Sequence, residues 1–163
     1  AIDKIRKKHP NVLLKIAGRK LDQGYFDDLQ KIITDSGMEN NVSFLGSVTQ
    51  NELSYLYRTC KFFVFPSLVE SFGNPLVEAM ASGTPIASSN LAAMPEVVGT
   101  AALLFNPASI SDMASALERL YEDEDLRYNL SEKSLQRAQL FSWSNTAKAT
   151  LEVIKNVAAE GRE

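Results

Sequence analysis

Cysteine and histidine occur once each in the 163 residues, as Cys60 and His9. A single cysteine excludes an internal disulfide framework and a thiolate metal site. A single histidine excludes a multi-histidine metal centre, and the chain offers no histidine-paired nucleophile. Charge of one sign is also lacking: 17 basic residues face 20 acidic ones, for a net charge of -3. That balance leaves no electrostatic footprint for nucleic acid or an anionic membrane. No apolar run approaches the length of a membrane span, and the opening Ala1-Ile2-Asp3-Lys4 does not read as a secretory leader. The expectation is a cytoplasmic chain without a membrane signal. Internal repeats, low-complexity tracts and long linkers are absent as well.

What remains is an ordinary globular composition, 45% apolar and 23% charged, in a length that suits one domain with its own core. The first residues read as the middle of an amphipathic helix, with Ile2 and Ile5 among charged residues, which points to a piece of a longer protein. Short apolar runs then alternate with segments of helical period. Val12 to Ala17, Val42 to Leu45, Phe62 to Phe65, Ile86 to Ser88 and Leu103 to Phe105 read as strands. Phe26, Leu29, Ile32 and Ile33 share one helical face, and Thr49 to Glu52 has capping-box spacing ahead of Leu53, Leu56 and Tyr57. Asn74-Pro75 can cap and start a helix that Gly83 ends. From Ser109 onward the pattern is helical, with stripes at Ile110, Met113, Leu117 and Leu120, then Leu126, Leu130 and Leu135, then Leu151 and Ile154.

Alternating strands and helices predict an α/β fold: a doubly wound, mostly parallel sheet with helices on both faces. Ligands of such sheets bind beyond the carboxyl ends of the strands. Four loops qualify, at Gly18-Arg19-Lys20, Gly46-Ser47-Val48, Pro66 to Asn74 and Ser88 to Pro95. The third carries the chemistry. Gly73 and Asn74 lead into a helix whose first-turn amides and positive dipole end suit an anion such as a phosphate or diphosphate. Glu78 stands among Leu76, Val77, Ala79, Met80 and Ala81, so its helix is expected to be buried nearly all round. A buried carboxylate needs hydrogen-bond donors or a cation, and the vicinal hydroxyls of a ribose would serve. Glu70 falls in the preceding loop. Two carboxylates flanking an anion site fit a ligand with phosphates in its middle and hydroxyls at both ends, the layout of a nucleotide sugar. Each element has a plainer explanation: Glu78 as a dipole partner in the first turn, Glu70 as a solvated loop residue. Only their combination beyond a buried strand favours the ligand.

These residues resemble the carboxyl-terminal domain of the GT-B-fold retaining glycosyltransferases of glycosyltransferase family four. Glu70 and Glu78 match that family's E-x7-E motif in the setting F-P-S-x-x-E-S-F-G-N-P-L-V-E-A-M-A-S-G-T-P. Ile16-Ala17-Gly18, Val42 to Val48, Met94 to Gly99 and Phe141-Ser142-Trp143 match further motifs in the same order. The resemblance implies the Rossmann-like half of a GT-B fold, with residues 1–163 as one nucleotide-sugar-binding domain. It implies Glu70 at the reacting sugar and diphosphate, Glu78 on the ribose hydroxyls, and the amides of Phe72, Gly73 and Asn74 on phosphate or sugar. It implies the Gly18 loop near the ligand and Gly46, Ser47 and Val48 beside the base. The donor is then a nucleotide diphosphate sugar, with no metal and no other cofactor, and the partner is the amino-terminal acceptor domain of the same enzyme. The family's first strand in this domain, with the Arg and Lys that follow it, falls upstream of Ala1. Ala92-Ala93 stands where relatives often carry Gly or Ser.

The resemblance thus points to retaining transfer of a hexose to a glycan or lipid-linked acceptor, as in polysaccharide assembly, with little activity from this piece alone. The alternative is a non-catalytic nucleotide-sugar-binding module. A phosphorylase or epimerase on the same architecture ranks third, since no lysine lies near the pocket for a pyridoxal group. Other features read as structural. Asp123-Glu124-Asp125 is a solvated helix start rather than a metal motif, and Cys60 is a packed residue at a helix end. His9 before Pro10 is a helix terminator, Arg6-Lys7-Lys8 a solvated helix end, and Trp143 an anchor for the last helix.

Overall fold

In the computed structural model, which describes residues 1–160, each β-prone run pairs in parallel with a neighbour. Strands β1 (Leu14–Ala17) and β2 (Val42–Gly46) form one ladder, with a shift in register between Ile16 and Ala17. Strands β3 (Phe63–Phe65), β4 (Ile86–Ser89) and β5 (Ala102–Phe105) form the other, in that order. Parallel pairing follows from the helices between paired strands: α2 (Gln23–Asp35), α4 (Asn74–Ala81) and α5 (Met94–Val98) each return the chain to the starting edge, while α3 (Gln50–Thr59) carries it from β2 to β3. A short α1 (Ile2–Arg6) precedes β1. Three longer helices, α6 (Ile110–Glu122), α7 (Glu124–Ala138) and α8 (Trp143–Glu160), close the described chain.

The doubly wound expectation is visible in how side chains alternate across the sheet. Phe63 and Phe65 of β3, Ile86 of β4 and Ala102 of β5 face a core completed by Tyr57, Leu76, Ala79, Met80, Met94, Val97 and Val98, from α3, α4 and α5. Val64, Ala87, Leu103 and Phe105 face the opposite core, made with Ile5, Leu117, Leu120 and Leu130 from α1, α6 and α7. Period-2 alternation thus feeds two apolar layers, the reason β3 and β4 are apolar on both sides. The sheet differs from the expectation in being two hydrogen-bonded pieces. No ladder joins β1–β2 to β3–β4–β5 among the described residues. The β1–β2 piece is also thinly covered, with α2 contributing no buried residue and Phe26 stacking tilted on Phe44 at 4.8 Å.

Several local expectations are corrected. Strand β1 begins at Leu14, because Val12 closes a turn after Pro10 by donating its amide to the His9 carbonyl (3.0 Å). Asn41, buried, holds that turn through two 2.8 Å bonds from its side-chain amide to the Pro10 and Val12 carbonyls. Met94 and Pro95, expected in the loop after β4, instead open the helix α5; Pro95 sits in its first turn, where no amide is needed. The run at Arg6 to Lys8 is not simply solvated. Arg6 donates to the Ser36 carbonyl (2.8 Å) and pairs with Asp3, and Lys8 pairs with Glu118 on α6. His9 does more than end a helix, as its ring meets Tyr121 at 4.5 Å and Nε2 lies 2.9 Å from Glu122. Asp123 is the helix start expected, its carboxylate accepting from the Leu126 amide at 2.8 Å.

The last helix departs furthest from expectation. Trp143 is 89% exposed and anchors nothing. The anchor is Phe141, two residues earlier, which packs edge-on against Phe72 (5.6 Å) beneath the Arg137 guanidinium (5.5 Å). Leu151 and Ile154 lie exposed on α8 with Val153 and Val157, so no other described residue covers their stripe.

Cys60 is exposed at the C-cap of α3 rather than packed in a core. Its sulfur nonetheless turns toward the Tyr57 carbonyl (3.5 Å), and desolvation pushes the thiol pKa up to about 11. Alkylation by iodoacetamide is therefore expected to be slow at pH 7.5 and to rise about tenfold per pH unit as the thiolate forms. Measured rates that level off between pH 8 and 9 would contradict this.

Candidate functional site

The site forms where β3 ends. Beyond Phe65 the chain leaves the sheet at Pro66 and turns back into α4 through Gly73, which adopts the left-handed region at φ +88° and ψ +59°. Gly73, not Asn74, is thus the N-cap; Asn74 is the first helical residue and Pro75 the second. A Cβ at Gly73 would come within 3.2 Å of Leu76 Cδ1 and 3.5 Å of Phe65 Cε1, so both dihedral and space call for glycine. The Gly73 carbonyl accepts from the Leu76 amide at 2.9 Å. The amides of Phe72, Gly73 and Asn74 donate to no acceptor among the described residues. Three open donors therefore stand at the positive end of the helix, where backbone N–H groups are able to meet an anion.

Each carboxylate beside that helix start has one oxygen held. Ser67 Oγ donates to Glu70 Oε1 at 2.8 Å, and Tyr57 Oη donates to Glu78 Oε2 at 3.3 Å. Glu70 Oε2 and Glu78 Oε1 have no partner among the described residues, and neither carboxylate forms an ion pair there. Glu78 is half-buried, since α4 is buried along Leu76, Ala79 and Met80 but open at Ala81, a narrower burial than its composition implied. Burial first, then the Glu78 charge and the shared hydrogen bond, holds the Tyr57 phenol above its ordinary pKa, so it stays protonated and remains the donor.

Gly18 and Gly46 come together as a second group: the Gly18 amide donates to the Gly46 carbonyl at 2.9 Å, joining the loops after β1 and β2. Ser47 beside them is exposed and Val48 half-buried. No hydrogen bond among the described residues connects this pair to the α4 group. The loop after β4 adds buried Ser88 and Ser89, with the Leu91 amide donating to Ser89 Oγ at 3.2 Å. Ala92 there sits at φ +49°, a left-handed position that an L side chain rarely adopts.

Sequence reasoning missed Tyr57, Ser67 and Phe141 as parts of this site. In sequence Tyr57 stands with Leu53 and Leu56 on one helix, and its ring gives no sign of where its hydroxyl ends. The segment itself is open, with Leu68, Val69 and Phe72 exposed. Two shallow depressions lie elsewhere, one around Arg6, Asn11 and Asn41, the other around Thr100, Lys133 and Arg137. The 66–78 segment lines neither of them.

With this geometry in place, comparison with known proteins assigns the class. Residues 1–137 match the family described as glycosyl transferases group 1, and the chain belongs to it. Its fold is the Rossmann-like half of GT-B glycosyltransferases. The serotype-specific mannosyltransferase WbdA of Escherichia coli is 31% identical over 160 residues, covering 98% of this chain and 19% of its own length. Alr3699/HepE of Anabaena, solved with UDP and glucose, is 26% identical with a TM-score of 0.81, over 89% of this chain and 41% of that one. The carboxyl-terminal domain of the group 1 protein LpcC of Francisella tularensis is 26% identical with a TM-score of 0.75, over 84% of this chain and 73% of that domain. The chain thus spans only 15% to 37% of the length of these curated relatives. No described helix is long and apolar enough to cross a membrane.

Proposed function

We propose that this chain is the donor-binding domain of a retaining hexosyltransferase that uses a nucleotide diphosphate sugar and a glycan or lipid-linked acceptor. The carrying observation is the pairing at α4: three open amides at the helix start, flanked by Glu70 and Glu78, each with one oxygen held and the other unpartnered. In this reading the amides of Phe72, Gly73 and Asn74 take the diphosphate or sugar, and Glu78 takes the ribose hydroxyls. Glu70 stands at the reacting sugar. Gly18, Gly46, Ser47 and Val48 border the base and ligand. The acceptor oxygen bonds to the anomeric carbon on the face from which the nucleoside diphosphate leaves. The dipole and amides meet the negative charge growing on that leaving group, without a metal.

The exposed Leu68, Val69 and Phe72, and the uncovered apolar residues of α8, suit contact with an amino-terminal acceptor domain that forms the other wall of the cleft. The split between β1–β2 and β3–β4–β5 suits a further strand completing the sheet. Alone, the chain should bind donor weakly and transfer little.

The test is a nuclear magnetic resonance titration of the chain with UDP, GDP and ADP and their sugars. One nucleotide is expected to shift the amides of Phe72, Gly73 and Asn74, and Glu78→Ala to weaken it about tenfold, the loss of charged hydrogen bonds. Unmoved amides with all three nucleotides, or an unchanged affinity in Glu78→Ala, would remove the donor-binding reading.

A further inference from the structure

We propose that Tyr57 is a positioning residue that sets Glu78 to recognise a neutral diol rather than an anion. The inference rests on the reading of Glu78 as the ribose-binding carboxylate.

Tyr57 lies on α3, 5% exposed, with its ring edge-on against Phe63 at 5.2 Å. Its backbone is held too: Thr84 Oγ1, itself buried, donates to the Tyr57 carbonyl at 2.7 Å. Ring and backbone are therefore fixed by contacts that a phenylalanine would make equally well. Only the hydroxyl distinguishes tyrosine, and burying it costs free energy unless it is bonded. Its partner is Glu78 Oε2, on the neighbouring helix.

A neutral donor restrains a carboxylate differently from a cation. An arginine or lysine at Oε2 would spread and offset the negative charge. A phenol fixes the rotamer while leaving the charge on Oε1, and no Lys, Arg or His pairs with Glu78 among the described residues. That oxygen attracts hydroxyl donors and repels phosphate, which is steered to the open amides at the helix start instead. Tyr57 thus fixes the register of the ligand along α4, with hydroxyls at Glu78 and phosphates at Gly73. The phenol's raised pKa keeps it a donor throughout the working pH range.

The experiment titrates the chain with UDP, GDP and ADP and compares the tightest binder with its 2′,3′-dideoxy analogue. Tyr57→Phe, which keeps the ring, is expected to weaken the ribonucleotide about fivefold, the worth of one hydrogen bond. It should leave the dideoxy affinity and the melting temperature unchanged. Glu78→Gln should abolish the preference for ribose, and adding Tyr57→Phe to it should change nothing more. Equal losses for both nucleotides would mean that Tyr57 only packs, overturning the proposal. A ribose preference lost in Glu78→Gln but retained in Tyr57→Phe would overturn it while leaving Glu78 on the ribose. No ribose preference in the parent chain, or no binding, would remove the ribose reading and the proposal with it.

Discussion

Gly73→Val is expected to weaken nucleotide binding by at least about 30-fold, equivalent to ~2 kcal/mol. Valine at φ +88° places a branched side chain in a backbone region that β-branched residues essentially avoid. Space gives no relief, because the Cβ alone already approaches Leu76 Cδ1 at 3.2 Å and Phe65 Cε1 at 3.5 Å. Leu76 is fully buried in the core of α4, and Phe65 ends β3, so neither can retreat freely. The loop must move instead, and the amides of Phe72, Gly73 and Asn74 move with it. Stability is expected to fall by about 1–3 kcal/mol, the usual cost of such strain. Urea unfolding measures the second effect and titration with the bound nucleotide the first. An affinity within threefold of the parent would show that these amides do not hold the ligand.

Leu120→Ala should do the reverse. Leu120 is fully buried in the layer formed by α6 with Ala87, Phe105, Leu117 and Leu130, on the face of the sheet opposite α4. Truncation leaves a cavity there, with an expected loss of about 2–5 kcal/mol. That is a large part of the roughly 5–15 kcal/mol that keeps a domain folded. Nucleotide affinity of the folded protein should not change, since no residue of the 66–78 segment belongs to that layer. A loss below 1 kcal/mol in urea unfolding would mean the two-layer description of the core is wrong. Together the two variants separate the site from the scaffold.

The elements were legible because their signals are short in range. Phe62 to Phe65 and Ile86 to Ser88 are apolar on both faces because two helix layers cover them, and continuous apolar runs state that directly. Asp123 capped its helix as expected, and Thr49 with Glu52 formed the capping box their spacing implied. The errors came from choices between near neighbours or between states of similar composition. Phe141 and Trp143 are two residues apart and both aromatic; which one packs depends on where α7 and Arg137 leave room. Met94 to Val98 is too short for helical period to emerge, and its proline misleads unless its place in the first turn is known. The break between β1–β2 and β3–β4–β5 leaves no trace in the strands' own residues.

The same division runs through the site. Sequence alone determined that Glu70, Gly73 and Glu78 lie around one helix start beyond a buried strand, because their spacing and the glycine are local matters. It also determined the glycosyl transferases group 1 character of the chain, through motifs preserved in order. Tertiary structure decided which oxygen of each carboxylate is held and by what. Ser67 reaches Glu70 across a loop, and Tyr57 reaches Glu78 from a helix 21 positions earlier. The Ser67 pairing closes within one loop, but the Tyr57 pairing arises only when packing brings distant segments together, and the energy that selects it belongs to no single stretch of chain. Glu78 therefore reads in sequence as a carboxylate in want of partners. Folded, it is one whose first donor comes from α3 and whose second place stays open.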